Sequence, residues 1–178
     1  MFDLSKKENS VLNLFLDLPT KEFHLRETAR LLKISSSTAK LSLDKLKAHG
    51  LILEKGIANL RVFKANLENI ILKEMKKTKN LSLIKESAIA EYIQKTLNPA
   101  SVVLFGSFAK GTNDEKSDID LLIITNKKKQ LSLLGIKGNE LQIIQLTPLE
   151  WKEKVKKDKP FYQEIITTGI TLLGEMPI

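Results

Sequence analysis

The stretch 101–125, "SVVLFGSFAKGTNDEKSDIDLLIIT", constrains the fold of this chain more than any other segment. Two apolar runs flank a polar loop, which predicts two β-strands joined by a connection. Gly106 and Ser107 end the first run, and Asp118 and Asp120 stand one residue apart at the start of the second. A glycine at a strand end lets the backbone approach a ligand closely, and the peptide N–H groups that follow can bind phosphate oxygens.

The two aspartates predict a metal site beside that turn. Side chains at i and i+2 of a strand point to the same face, with a spacing of roughly 7 Å. Two hard carboxylates on one face can hold Mg²⁺ or Mn²⁺ against a triphosphate. A third carboxylate would allow two metal ions, one to activate a hydroxyl and one to stabilise the departing pyrophosphate. For an isolated D-x-D pair, the alternative is a turn in which Asp118 caps the loop and Asp120 is solvated.

The pattern G-S, ten residues, then D-x-D-L resembles the nucleotidyltransferase superfamily of DNA polymerase β and kanamycin nucleotidyltransferase, and its minimal prokaryotic members above all. "LQIIQLTPLEW" resembles their third strand and following helix, and "FYQEIITTGITLLGE" resembles their closing helix and strand. The resemblance therefore covers about residues 84–175. It implies that the triphosphate contacts Gly106, Ser107 and Lys110. It also implies that the metal is bound by Asp118 and Asp120.

The third carboxylate of that family is the point where this chain departs from the pattern. The family usually places it in the middle of the third strand, where this chain has Gln142. A glutamine side chain can neither act as a general base nor neutralise a metal ion. Glu140 lies two residues earlier on the same predicted strand face, and we interpret it as the candidate substitute. For Lys110, a solvated loop position is an equally good interpretation.

Residues 1–66 carry the pattern of three short helices followed by a β-hairpin. The third helix, "SSTAKLSLDKLKAHG", places Ala39, Leu43 and Leu46 at i, i+4 and i+7, which predicts one buried face. After it, "LILEKGIANLRVFKA" alternates apolar and polar residues around Gly56, which predicts the hairpin. This order of elements resembles the winged helix-turn-helix domains of prokaryotic regulators.

That resemblance implies that the third helix enters the major groove of double-stranded DNA with its first residues toward the base edges. The charge is compatible with a polyanion partner, since residues 1–66 hold 12 basic and 7 acidic residues and the chain has a formal net charge of +8. A protein-interaction or homodimerisation module shares the same core pattern and is the alternative. The candidate DNA-binding residues are Ser36, Ser37, Lys40, Lys45, Lys55 and Arg61.

The predicted fold class is α+β with two domains. A winged helix-turn-helix domain over residues 1–66 is followed by a helical linker over 67–83 and a minimal nucleotidyltransferase domain over 84–178, with a mixed sheet flanked by helices. The absence of cysteine excludes disulfides and thiolate metal sites. No apolar run reaches the roughly 20 residues of a membrane helix, and no signal-peptide pattern is present. We therefore expect a cytoplasmic protein without a membrane partner.

By resemblance, the expected function is transfer of a nucleoside monophosphate from an NTP, with ATP as the expected donor, to a hydroxyl group. The small domain leaves little room for a dedicated small-substrate lobe, which favours a partner protein as acceptor. The alternative is a DNA-binding transcriptional regulator whose nucleotidyltransferase domain has lost turnover and senses nucleotide or dimerises. Gln142 motivates that alternative. A scaffold with neither function is disfavoured, because the Gly-Ser turn and both aspartates are intact.

Overall fold

The computed structural model of the chain describes residues 3–57, 60–131 and 135–178. These residues form two compact units, with the division between Met75 and Lys76. The division falls inside the helix Ile70–Glu86, and the linker predicted over residues 67–83 overlaps most of this helix. The elements up to that helix are α1 (Lys6–Asp17), β1 (Phe23–His24), α2 (Leu25–Leu31), α3 (Ser36–Ala48), β2 (Ile52–Ile57), β3 (Leu60–Ala65) and α4 (Ile70–Glu86).

The first unit packs α1, α2 and α3 against a small antiparallel sheet with the strand order β1-β3-β2. Helix α3 begins at a cap in which the Ser35 hydroxyl accepts a hydrogen bond from the Thr38 N–H at 3.1 Å. Ala39, Leu43 and Leu46 are fully buried, so the predicted face of this helix is confirmed. The predicted hairpin is present as β2 and β3, while residues 58–59 of its turn lie outside the described residues.

The second unit is built on a four-stranded mixed sheet with the order β6-β5-β4-β7, flanked by helices as predicted. Strands β5 and β6 run parallel, whereas β4 pairs antiparallel with both β5 and β7. The elements after α4 are α5 (Ile89–Leu97), β4 (Ser101–Phe105), α6 (Gly106–Lys110), β5 (Ile119–Ile124), β6 (Leu141–Leu146), α7 (Pro148–Lys157), α8 (Lys159–Thr168) and β7 (Ile170–Gly174).

The central strands β4 and β5 are buried on both faces of this sheet. Val102 and Leu104 pack on one side in a cluster with residues of α5. Val103 and Phe105 pack on the other side in a cluster with Trp151 of α7 and with a residue of α8. Because side chains alternate along a strand, every second residue of β4 and β5 faces α7 and α8. Asp120, the register partner of Phe105, therefore lies on the side of the sheet that faces α7 and α8.

Two details differ from the sequence-based expectation. Strand β5 begins at Ile119, so Asp118 stands immediately before the strand and not within it. The chain after β4 forms the short helix α6 where a turn and a loop were predicted. Gly106 has φ = +69° at the start of that helix, and this left-handed conformation changes the chain direction within one residue. Within the described residues, no helix combines the length and the apolar composition that a membrane crossing requires.

A network of ion pairs joins α3 to the β2–β3 hairpin in the first unit. The Arg61 guanidinium donates to the carboxylates of Asp44 and Glu54, and the Lys47 ammonium donates to Glu54 at 2.7 Å. The hydrogen bonds from Arg61, followed by those from Lys47, lower the pKa of Glu54 to about 2. Because the folded-state pKa is below the ordinary glutamate value of 4.5, Glu54 stabilises this unit above pH 4.5. That contribution is lost as the pH falls from 4.5 toward 2.

We expect Glu54→Gln to lower the free energy of unfolding of the first unit at neutral pH by about 1–2 kcal/mol, since charged hydrogen bonds to Arg61 are lost. Wild-type amide protection in β2 and β3 should fall between pH 4.5 and about 2, and the variant should lack this Glu54-dependent part of the fall. Hydrogen exchange, corrected for its intrinsic pH dependence, measures both effects. Glu22→Gln, at an exposed position of the same unit, is the control. An unchanged acid profile in Glu54→Gln would contradict the assignment.

Candidate functional site

The candidate site lies where β4 ends and β5 begins. These strands are antiparallel neighbours, and Phe105 pairs with Asp120 in their register. The next residue, Gly106, turns the chain into α6. A Cβ atom built on Gly106 would lie 2.2 Å from the Oδ2 atom of Asp120, so the carboxylate occupies the space that any other side chain would need. Glycine is therefore required at this position by the aspartate as well as by the backbone.

Asp120 is the electrostatic centre of the site. Its pKa is raised above 3.8, first because the carboxyl group is partly buried, and then because the negative charges of Asp118 and Glu164 act on it. The positive charge of Lys110 counteracts this effect. The predicted Asp118–Asp120 pair is thus close enough in space to interact. A bound cation would offset both the desolvation of the Asp120 carboxylate and its repulsion by the neighbouring carboxylates.

Lys110 lies at the last residue of α6 and forms an ion pair with Glu164 of α8. The side chains of Lys110 and Glu164 are 39% and 31% exposed, so the pair is partly shielded from water. Glu164 was not identified from the sequence. It lies in "FYQEIITTG", and its only sequence signal is that it belongs to a helix whose opposite residues are apolar.

The loop between α6 and β5 is held by polar side chains. The amide of Asn80, on α4, donates to the Phe108 carbonyl at 2.9 Å and to the Asn113 side chain at 2.8 Å, and both asparagines are buried. The Ser117 hydroxyl donates to the Asp114 carboxylate at 2.9 Å. These bonds fix the loop on both sides of the polar segment, and they explain why a charged loop can present Asp118 at a defined position. Sequence reasoning missed Asn80, because it follows the polar run "KKTK" and has no local pattern that distinguishes it from a solvated residue.

The β6 residues stand beside Asp120. Gln142 is its register partner on the parallel neighbour β6, so the two side chains share one face of the sheet. Glu140 immediately precedes β6, and its carbonyl accepts a hydrogen bond from the Ile119 N–H at 2.8 Å. Both Gln142 and Glu140 are exposed. The structure thus places Gln142 nearest to the position expected for a third carboxylate, and places Glu140 at the entrance of the strand.

The donor set fits a cation that is bound together with a nucleotide. Within the described ranges, no three His, Asp or Glu side chains are arranged to enclose a metal ion. Mg²⁺ is commonly held by one or two carboxylates, with phosphate oxygens and water completing the shell. Asp118 and Asp120 match that arrangement, and the lack of a side chain at Gly106 allows the Asp120 carboxylate to lie against the backbone where α6 begins.

The residues predicted for DNA binding divide into two groups. Ser36, Ser37 and Lys40 on α3 and Lys55 on β2 are exposed. In contrast, the Lys45 ammonium donates to Glu8 at 3.0 Å and to a backbone carbonyl, and Arg61 donates to two carboxylates as described above. The charges of these two cations are therefore already compensated by carboxylates, and a phosphate would compete with those partners.

The mixed sheet flanked by helices is consistent with a nucleotidyltransferase domain. The family described as Polymerase beta, Nucleotidyltransferase matches residues 87–177, and the chain belongs to this family. The match confirms the family predicted for this part of the sequence. Comparison with curated proteins and with solved structures gave no match.

Gly106→Ala should displace Asp120, because the new Cβ atom meets its carboxylate and a left-handed conformation is imposed on alanine. We expect the free energy of unfolding to fall by roughly 2–5 kcal/mol, the sum of the conformational and overpacking terms. Denaturant unfolding of the full chain, with hydrogen exchange of β4 and β5, measures this loss.

Gly138→Ala is the matched control. Gly138 also has a positive φ, +90°, but nothing lies within 4 Å of an added Cβ atom. This control should therefore lose only the conformational part, about 1–2 kcal/mol. Equal losses in Gly106→Ala and Gly138→Ala would contradict the close approach of Asp120.

Proposed function

We propose that the second unit transfers a nucleoside monophosphate from an NTP, with ATP as the expected donor, to a hydroxyl acceptor. The observation that carries this proposal is the Asp120 carboxylate lying against Gly106, beside Asp118. Membership of the polymerase β nucleotidyltransferase family supports the reaction class. Members of that family typically use an NTP and a divalent metal.

In the proposed reaction, the Gly106 and Ser107 N–H groups bind oxygens of the triphosphate, and Asp118 and Asp120 hold Mg²⁺ or Mn²⁺. A cation held by these carboxylates would neutralise triphosphate charge and polarise the phosphorus that is attacked. The acceptor oxygen forms a bond to the α-phosphorus, and the bond from that phosphorus to the bridging oxygen breaks, so that pyrophosphate leaves. Gln142 cannot take the proton of the acceptor hydroxyl. Glu140, at the entrance of β6, is the proposed proton acceptor.

The proposed acceptor is a hydroxyl on a partner protein. The elements from α5 to β7 supply the sheet and its flanking helices, and the Glu140 and Gln142 side of the site is exposed. An exposed edge admits a protein side chain more readily than it selects a small molecule, because pockets for small molecules bury most of the ligand surface.

The test is incubation of the full chain with each α-labelled NTP and Mg²⁺, using a lysate of the source organism as acceptor. Wild type should transfer label, and Asp118→Asn/Asp120→Asn should reduce transfer by at least about 100-fold, because several kcal/mol of charge stabilisation are lost. Glu86→Gln, an exposed carboxylate of α4, is the control and should retain transfer. NTP binding without any transfer would contradict catalysis and favour the regulator in which Gln142 marks lost turnover.

We also propose that the first unit binds double-stranded DNA as a winged helix-turn-helix. The supporting observation is that α3 and β2 present exposed Ser36, Ser37, Lys40 and Lys55 in the order of elements that such domains use. Exposed lysines can contact phosphates, and hydroxyl groups at the start of the helix can contact base edges.

Lys40→Ala/Lys55→Ala should weaken binding to a mixed-sequence duplex and lower the slope of log K against log salt by about 2, because two phosphate contacts are lost. Fluorescence anisotropy at several salt concentrations measures the slope. Lys7→Ala, at an exposed position on α1, is the control and should leave the slope unchanged. The proposal fails if the double variant and wild type share the same slope.

A further inference from the structure

Lys110 and Glu164 have no part in the reaction as proposed above, although both lie beside its metal ligands. Lys110 is four residues after Gly106, so the two positions share one face of α6. Glu164 lies on α8, the helix that packs against the Phe105 side of the sheet. Their ion pair therefore stands on the same side of the sheet as Asp120, which is the register partner of Phe105.

The local charge is unbalanced. The carboxylates of Asp118 and Glu164 both act on Asp120, and Lys110 is the cation that acts on it. With Lys110 in place the four groups sum to two negative charges when ionised, and without it they sum to three. The Lys110 ammonium, paired with Glu164 and acting on Asp120, supplies positive charge where a metal ion would supply it.

We propose that Lys110, positioned by Glu164, is the counter-ion of the carboxylate site in the nucleotide-free protein, and that the divalent cation of an incoming NTP takes its place. This inference rests on the metal role proposed for Asp118 and Asp120. Once displaced, the Lys110 ammonium can contact the triphosphate, which the cation brings to the same place. Glu164 is a positioning residue in this scheme, since it acts through Lys110.

The counter-ion role and a purely structural role of this ion pair predict different directions of change in divalent-cation affinity when one partner is replaced. Lys110→Met and Glu164→Gln break the same ion pair, so a structural role predicts that both change the protein in the same direction. Charge compensation predicts opposite effects on a bound divalent cation. Removing the ammonium strengthens the attraction, whereas removing the Glu164 carboxylate weakens it.

The experiment measures Mn²⁺ binding to the full chain without nucleotide, by electron paramagnetic resonance of free Mn²⁺ at low ionic strength. The Mn²⁺ bound by Asp120→Asn measures binding elsewhere on the chain, and this amount is subtracted from the binding of each other variant. Relative to wild type, Lys110→Met should bind Mn²⁺ about five- to tenfold more tightly and Glu164→Gln about five- to tenfold more weakly, as expected for one charge several ångströms away. The double variant should return close to wild type.

Two residues from other, exposed ion pairs serve as matched controls. Lys128→Met removes the cation of an exposed Lys128–Glu150 pair, and Glu153→Gln removes the anion of a Glu153–Lys157 pair. Neither should change Mn²⁺ affinity by more than about twofold. The increase in Mn²⁺ affinity caused by a non-cleavable ATP analogue should also be smaller in Lys110→Met than in wild type.

The outcomes separate the inference from the function on which it rests. If wild type binds Mn²⁺ through Asp120 and both variants shift in the same direction or remain within twofold of wild type, Lys110 is not the counter-ion, while the metal site stands. If wild type and Lys110→Met both bind Mn²⁺ no better than Asp120→Asn, with and without the ATP analogue, the metal site and the inference both fail.

Discussion

The close approach of the Asp120 carboxylate to the Gly106 backbone is the contact on which the rest of the second unit's site depends. It exists because β4 and β5 pair antiparallel with Phe105 opposite Asp120, so that the last core residue of one strand meets the first charged residue within the other. The apolar residues behind this pair withdraw the carboxylate from water, which is the main reason why its pKa is raised. A site that keeps an acidic group at the edge of a core gains interaction strength with a cation from the same partial burial.

The position of α8 follows from aromatic packing on that side of the sheet. The ring of Phe105 contacts that of Phe161 edge to face, with centroids 5.5 Å apart, and Phe161 in turn lies 6.2 Å from Trp151. The Trp151 indole N–H donates to the Pro177 carbonyl at 2.9 Å, which ties the end of the chain to the same cluster. Phe161 is one helical turn before Glu164, so this packing sets where the glutamate lies. The packing of Phe161 in the core therefore fixes the position of the Glu164 charge one turn later on α8.

Much of this arrangement could be read from the sequence, and the remainder depends on tertiary packing. The apolar runs around "GSFAKGTNDEKSDID" predicted two buried strands, and the 3–4 residue spacing of Ala39, Leu43 and Leu46 predicted the buried face of α3. Helix α6 has five residues, too few for a periodic pattern to be recognised. The partner of Lys45 is 37 residues away along the chain, and Glu164 is 54 residues from Lys110. Partners at such separations depend on how elements pack, which local spacing does not specify.

The net charge of the chain does not indicate which ligand charge each unit attracts, because the charged side chains are paired differently in the two units. In the first unit, Arg61 and Lys47 are paired with carboxylates, whereas Lys40 and Lys55 are exposed. Any attraction for a polyanion then comes from lysines such as Lys40 and Lys55, and not from the basic excess as a whole. Around Asp120 in the second unit, the neighbouring carboxylates outnumber the ammonium group that acts on it. A chain with a formal charge of +8 therefore contains a site whose local charge is negative, and under the function proposed above a triphosphate would enter that site together with a cation.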